Sequence, residues 1–217
     1  TTDGYVVAGL TFSNDGDIKG YHVPTYIGAD FLAIKVDFNG NKLWARAYGG
    51  TNDEVATCIT TLGDDYVLAG YATSNDGDVT GVHGAALFDD AWVVKLNKNG
   101  DIGWQKTFGG RNIDAAIAIA PTPDGGLILG GSTFSNDGDV SGFHKGDWGD
   151  GWIVKMDAAG NKQWTKTLGG SDDEQISGIT VSGYGYFVSG ITASTDGDVG
   201  GRNHGNYDLW VMKLNVE

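Results

Sequence analysis

The four histidines of this 217-residue chain, His22, His83, His144 and His204, stand at one recurring place. Each follows an acidic phrase: Ser13-Asn14-Asp15-Gly16-Asp17, Ser74-Asn75-Asp76-Gly77-Asp78, Ser135-Asn136-Asp137-Gly138-Asp139 and Ser194-Thr195-Asp196-Gly197-Asp198. The histidine comes five, five, five and six residues after the last aspartate of its phrase. A further aspartate, Asp30, Asp90, Asp150 or Asp208, then opens an apolar run. Three chemistries compete for this pattern. Clustered hard oxygens suit calcium, with Asp15, Asp17, Asp76, Asp78, Asp137, Asp139, Asp196 and Asp198 as ligands beside backbone carbonyls. The phrase Asp-Gly-Asp-Ile partly matches the middle of an EF-hand loop. However, Thr11 and Ser13 hold the first ligand positions and His22 the closing one, so it is not an EF-hand. Imidazole with carboxylate suits a transition metal, although one histidine per loop binds weakly unless loops converge. Thirdly, Asn and Asp side chains cap turns by accepting backbone N–H groups while the imidazole bonds an aspartate. On any of these readings the histidines and the run-opening aspartates are the candidate ligand-loop residues.

Enzyme signatures are missing. There is no Gly-x-Ser-x-Gly elbow, P-loop or zinc-protease motif. Aspartates abound, which leaves a glycosidase pair open, but catalysis needs two carboxyls in different environments and here the acids are duplicated alike. Equivalent sites fit multivalent binding. The expectation is therefore a non-catalytic binding module for a glycan or surface protein. A purely structural spacer is the alternative, and a glycan-active enzyme stands third.

The phrases are spaced 61, 61 and 59 residues apart, and such a period implies a repeat architecture. Each of the first three repeats holds four short apolar runs bounded by Gly, Asp and Asn, and the fourth holds the first two; these are strand signals. The first is Tyr5 to Gly9, with copies Tyr66 to Gly70, Leu127 to Gly131 and Tyr186 to Gly190. The second is Phe31 to Val36, with copies Ala91 to Leu96, Gly151 to Met156 and Leu209 to Leu214. One face of this second run carries Leu32, Ile34 and Val36, then Trp92, Trp152 and Trp210 with their neighbours. The other face is apolar too, so the run is to be covered on both sides. Lys35, Lys95, Lys155 and Lys213 recur there, their stems expected to pack while the ammonium finds solvent or an aspartate. Gly40, Gly100 and Gly160 mark tight hairpins that need positive φ. The third run, Leu43 to Tyr48 and its copies from Trp104 and Trp164, has one polar face in the later copies. The fourth follows an acidic residue (Glu54, Asp114, Glu174); its copy Ala115 to Ala120 has helix propensity, but the repeat frame assigns a strand. The units are approximately 1–61, 62–121, 122–181 and 182–217, forming a single domain with fourteen strands.

Twenty-eight acidic against fourteen basic residues give a net charge of −14. That excludes a basic nucleic-acid footprint and suits cations. One cysteine, Cys58, rules out an intrachain disulfide, and no apolar run is long enough to insert into a membrane as a helix. The chain begins at Thr1 rather than Met, so processing, or a longer parent protein, is expected.

The phrases Ser-Asn-Asp-Gly-Asp-Val-x-Gly-x-His-Gly, Asp-x-Trp-Val-Val-Lys-Leu and Asn-Gly-x-x-x-Trp-Gln-Lys-Thr-Phe-Gly-Gly resemble the propeller-type repeats of secreted and cell-surface bacterial proteins, over essentially the whole chain. The resemblance implies export, no enzymatic activity, and an all-β propeller of four-stranded antiparallel blades. The ring would be either four-bladed or part of a larger propeller, and in the latter case its exposed edges would allow self-association.

Overall fold

The computed structural model describes residues 1–22, 28–84, 88–144 and 148–215. Among them lie fourteen strands in four antiparallel sheets, with no helix. The first sheet holds Tyr5–Thr11 (β1), Asp30–Val36 (β2) and Lys42–Tyr48 (β3). The second holds Glu54–Leu62 (β4), Asp65–Ala72 (β5), Asp90–Leu96 (β6) and Ile102–Phe108 (β7). Asp114–Pro121 (β8), Leu127–Thr133 (β9), Asp150–Met156 (β10) and Lys162–Leu168 (β11) form the third. The fourth is Glu174–Ser182 (β12), Gly185–Thr192 (β13) and Asp208–Leu214 (β14). Strands run across each sheet in chain order. All four apolar runs are thus strands, including the alanine-rich β8.

The sheet boundary falls one strand earlier than the sequence period. β4 ends the first unit, yet it pairs with β5, Leu62 facing Asp65 across Gly63 and Asp64. The physical reason is loop length: a two-residue turn forces antiparallel pairing, whereas the Gly49-Gly50 segment carries the chain to a new sheet. The 3-4-4-3 strand count follows. Gly40, Gly100 and Gly160 have φ of 83°, 82° and 77°, as their hairpins require. The register slips once between β2 and β3, at Lys35/Val36, and once between β4 and β5, at Ala56/Cys58, and the later sheets repeat these irregularities. No residue type in the runs announces them.

Successive sheets stack. β4 packs on β1 and β2, β8 on β4, β5 and β6, and β12 on β8, β9 and β10. Three apolar clusters fill the three gaps. Trp92 and Trp152 are fully buried and Trp210 nearly so, as expected for a strand covered on both faces. The Phe31 ring meets the Trp92 ring with centroids 4.5 Å apart. Trp92 Nε1 donates to Gln105 Oε1 at 2.8 Å. In the third sheet Thr165 stands at the Gln105 position, and Trp152 Nε1 has no partner among the described residues. The recurring lysines behave as amphipathic stems do: Lys35 reaches Asp3 at 2.9 Å, Lys95 reaches Asp65 at 2.7 Å and Lys155 reaches Asp124 at 2.8 Å. The Lys155 hydrogen bond pulls the Asp124 carboxyl down to about 2.

Candidate functional site

Each acidic phrase folds as a turn whose glycine has positive φ: 62° at Gly16, 62° at Gly77, 63° at Gly138 and 64° at Gly197. In the last three copies the turn is pinned to the Gly-Gly end of the preceding sheet. The N–H groups of Asp78, Asp139 and Asp198 donate to the Gly49, Gly109 and Gly169 carbonyls at 2.8, 2.7 and 2.7 Å. In return, the N–H groups of Thr51, Arg111 and Ser171 donate to Asp76, Asp137 and Asp196 at 2.8, 2.9 and 2.8 Å. Those three carboxylates cap the turn that leaves the neighbouring sheet. Among the described residues the first copy meets no Gly-Gly end: Asp15 accepts from Ser13 Oγ at 2.7 Å and Asp17 pairs with Lys42. Among the described residues no three His, Cys, Asp or Glu side chains group as metal ligands.

The histidines join the other aspartates. His22 Nδ1 stands 3.0 Å from Asp30, His83 Nδ1 2.7 Å from Asp90, His144 Nδ1 3.0 Å from Asp150 and His204 Nδ1 3.1 Å from Asp208. Each histidine also donates its backbone N–H to the same oxygen. On the far side of the ring, Nε2 of His22, His83 and His144 lies 3.7, 3.8 and 3.8 Å from Asp78, Asp139 and Asp198. These are the loop aspartates of the next unit. Each imidazole is therefore a bridge between sheets, held by a buried carboxylate behind it and facing a half-exposed one ahead. Asp30, Asp90 and Asp150 have their carboxyl pKa raised by burial, with the histidine contacts opposing the shift.

Beneath the histidines lies a second buried carboxyl in each junction, which the sequence presented only as an acidic position before a strand. Asp30 Oδ1 and Glu54 Oε2 stand 2.6 and 2.5 Å from the point where a Cβ on Gly49 would sit. Asp90 with Asp114 repeats this at Gly109, and Asp150 with Glu174 at Gly169. Any side chain on these glycines would strike both carboxylates. Glu54 accepts the Gly50 N–H at 2.7 Å and the Ser74 N–H at 3.0 Å. Burial pushes its pKa up to about 7 and that of Asp114 up to about 6. Asp30 Oδ1 and Asp90 Oδ1 have no partner among the described residues. No local signal could have found this pairing, because its members are 24 residues apart.

Open clefts lie over two of these bridges, and a third lies at the unbridged His204. One is lined by His22, Asp78, Lys19 and Arg46. The next is lined by His83, Asp139, Lys106 and Lys162. A third surrounds His204 with Arg202 and Asn203. The same mixture recurs: an imidazole, a carboxylate, hydroxyl or amide groups and cations. Such a surface can hydrogen-bond a polyhydroxylated or acidic ligand, and it does so in several equivalent copies.

No family model matches the chain. The chain is 26% identical over 191 residues to the regulatory protein FlaEY of Caulobacter vibrioides, a match covering 82% of this chain and 20% of that protein. The chain spans about a fifth of the length of this relative.

Proposed function

We propose that this domain is a non-catalytic, secreted or cell-surface binding module whose four sheets are consecutive blades of a β-propeller. The observation that carries the reading is the recurrence of one cleft, with one His–Asp bridge, at two successive sheet junctions, with a like cleft at His204. The stacking of each sheet on the next through β4, β8 and β12 supports the propeller arrangement, in which equivalent loops share one rim. The duplicated buried acids support a non-enzymatic role: Asp30 and Glu54 are fully buried and lie out of reach of any substrate. The ligand class is a glycan or an acidic surface of a protein, bound multivalently by clefts that each contribute weakly. The spacer reading draws its support from the loop carboxylates, which are spent on backbone N–H groups.

Calcium is the cation proposed for the loops, and charge density supports it: eight aspartates on four neighbouring turns. Thermal melts test it, since integral calcium raises the melting temperature with RT ln(1 + [L]/Kd) per site while a chelator lowers it. Screening on glycan arrays and against immobilised surface proteins tests the binding role. The expected result is a ligand whose capture falls in steps as His22→Ala, His83→Ala and His204→Ala are combined. Capture that survives all three substitutions would sink the cleft assignment, and absence of any ligand leaves the spacer reading standing instead.

A further inference from the structure

The two end sheets each bare an apolar face that is covered wherever the repeat has a neighbour. In the fourth sheet Leu209 and Val211 are 81% and 63% exposed, and Phe187 and Ile191 are exposed beside them. Their counterparts Ala91 and Val93 in β6 are fully buried against the third sheet. In the first sheet Tyr5 and Val7 are 59% and 56% exposed. Their counterparts Tyr66 and Leu68 lie buried against the first sheet itself. Contiguous apolar patches of this kind mark interaction surfaces.

We infer that the face of the fourth sheet around Leu209 docks on the face of the first sheet around Val7 in a second copy of this chain, head to tail. Three observations on the repeat select this occupant. The internal junctions show the geometry: the opening residue of the second run meets the tryptophan position of the next sheet, as Phe31 meets Trp92. By that rule Leu209 meets Leu32. The sizes compensate, because the fourth sheet offers Leu where the middle sheets have Ala91 and Gly151, and the first sheet offers Leu where they have Trp92 and Trp152. The charges compensate as well. His204 is 81% exposed, and among the described residues no loop aspartate of a following unit faces it as Asp78 faces His22. The exposed Asp17 is the corresponding aspartate of the first unit, and among the described residues it meets Lys42 and no histidine. A head-to-tail copy brings these two halves of the bridge together. The contact is heterologous, so it closes into a ring or continues as a filament. This inference concerns the ends of the sheet array and stands apart from the ligand reading of the clefts.

Sedimentation velocity on the 217-residue chain, over a wide range of concentration, tests it. The wild type is expected to associate reversibly. Leu209→Glu and Val7→Glu, both at exposed positions, are each expected to weaken association roughly tenfold or more, since either would bury an unpaired charge. Circular dichroism of both variants must match the wild type. Mixing the two variants decides the polarity: each retains the face that the other lacks, so a one-to-one pair forms and grows no further. A wild type that stays monomeric throughout overturns the proposal. So does undiminished association by either variant alone, which would mean like face on like face, and so does a mixture that forms no pair.

Discussion

Replacing Glu54 by glutamine reads the buried acid pair directly. Burial raises the Glu54 pKa to about 7 from the ordinary 4.5. A carboxyl whose folded pKa lies above its unfolded value costs stability when ionised: the cost is absent below pH 4.5 and complete above pH 7. At roughly 1.4 kcal/mol per pKa unit the full cost is about 3 kcal/mol. Most of it accrues between pH 5 and pH 8. In Glu54→Gln one amide oxygen can keep the Ser74 N–H, but the amide NH2 then faces the Gly50 N–H, a donor against a donor. That mismatch costs about 1–3 kcal/mol at every pH. Urea unfolding of both proteins at pH 5, 6, 7 and 8 is therefore expected to show glutamine gaining steadily on glutamate with rising pH, worse at pH 5 and equal or better at pH 8. Asp114 titrates in both proteins and drops out of the difference. The carboxyls held low by hydrogen bonds, Asp3 from Lys35 and Asp124 from Lys155, titrate below this window. Two parallel stability curves across pH 5 to 8 would refute the reasoning.

Three further sets of substitutions probe the rest. Trp152→Ala should cost about 3–5 kcal/mol in chemical denaturation. Trp152→Phe should cost about 1 kcal/mol less than Trp92→Phe, because only Trp92 loses a hydrogen bond, the one to Gln105. Gly16→Ala and Gly77→Ala place alanine at the same φ, 62°. The first meets open space and should cost about 1–2 kcal/mol, whereas a Cβ at Gly77 runs into the Gly49 carbonyl, so Gly77→Ala should melt at a distinctly lower temperature. Asp76→Asn should be within about 0.5 kcal/mol of wild type, since asparagine still accepts the Thr51 N–H. Asp76→Ala should lose about 1 kcal/mol, the worth of a capping bond.

Much of the candidate site was legible in the chain itself. The histidines and the run-opening aspartates were paired by their spacing, and the structure sets them within hydrogen-bonding distance. That pairing is local, spanning at most eight residues, so the backbone of one loop is enough to encode it. The second partners of the histidines, Asp78, Asp139 and Asp198, belong to the following unit. Glu54 was legible as acidic but not as a neighbour of Asp30, and neither was the shared contact at Gly49. These relations arise only when one sheet lies on another.

The same division holds for the fold. The sequence alone determined that the chain is all strand, where the strands lie, which hairpins need glycine and which tryptophans are buried. Strand periodicity and turn chemistry are properties of a few consecutive residues. Tertiary structure decided which strands share a sheet, moving β4 across the repeat boundary, and it decided which apolar faces are covered. Val93 and Val211 occupy the same position of the repeat, yet one is fully buried and the other exposed. Their environments differ because a sheet follows one and, among the described residues, none follows the other: burial belongs to the neighbour as much as to the residue.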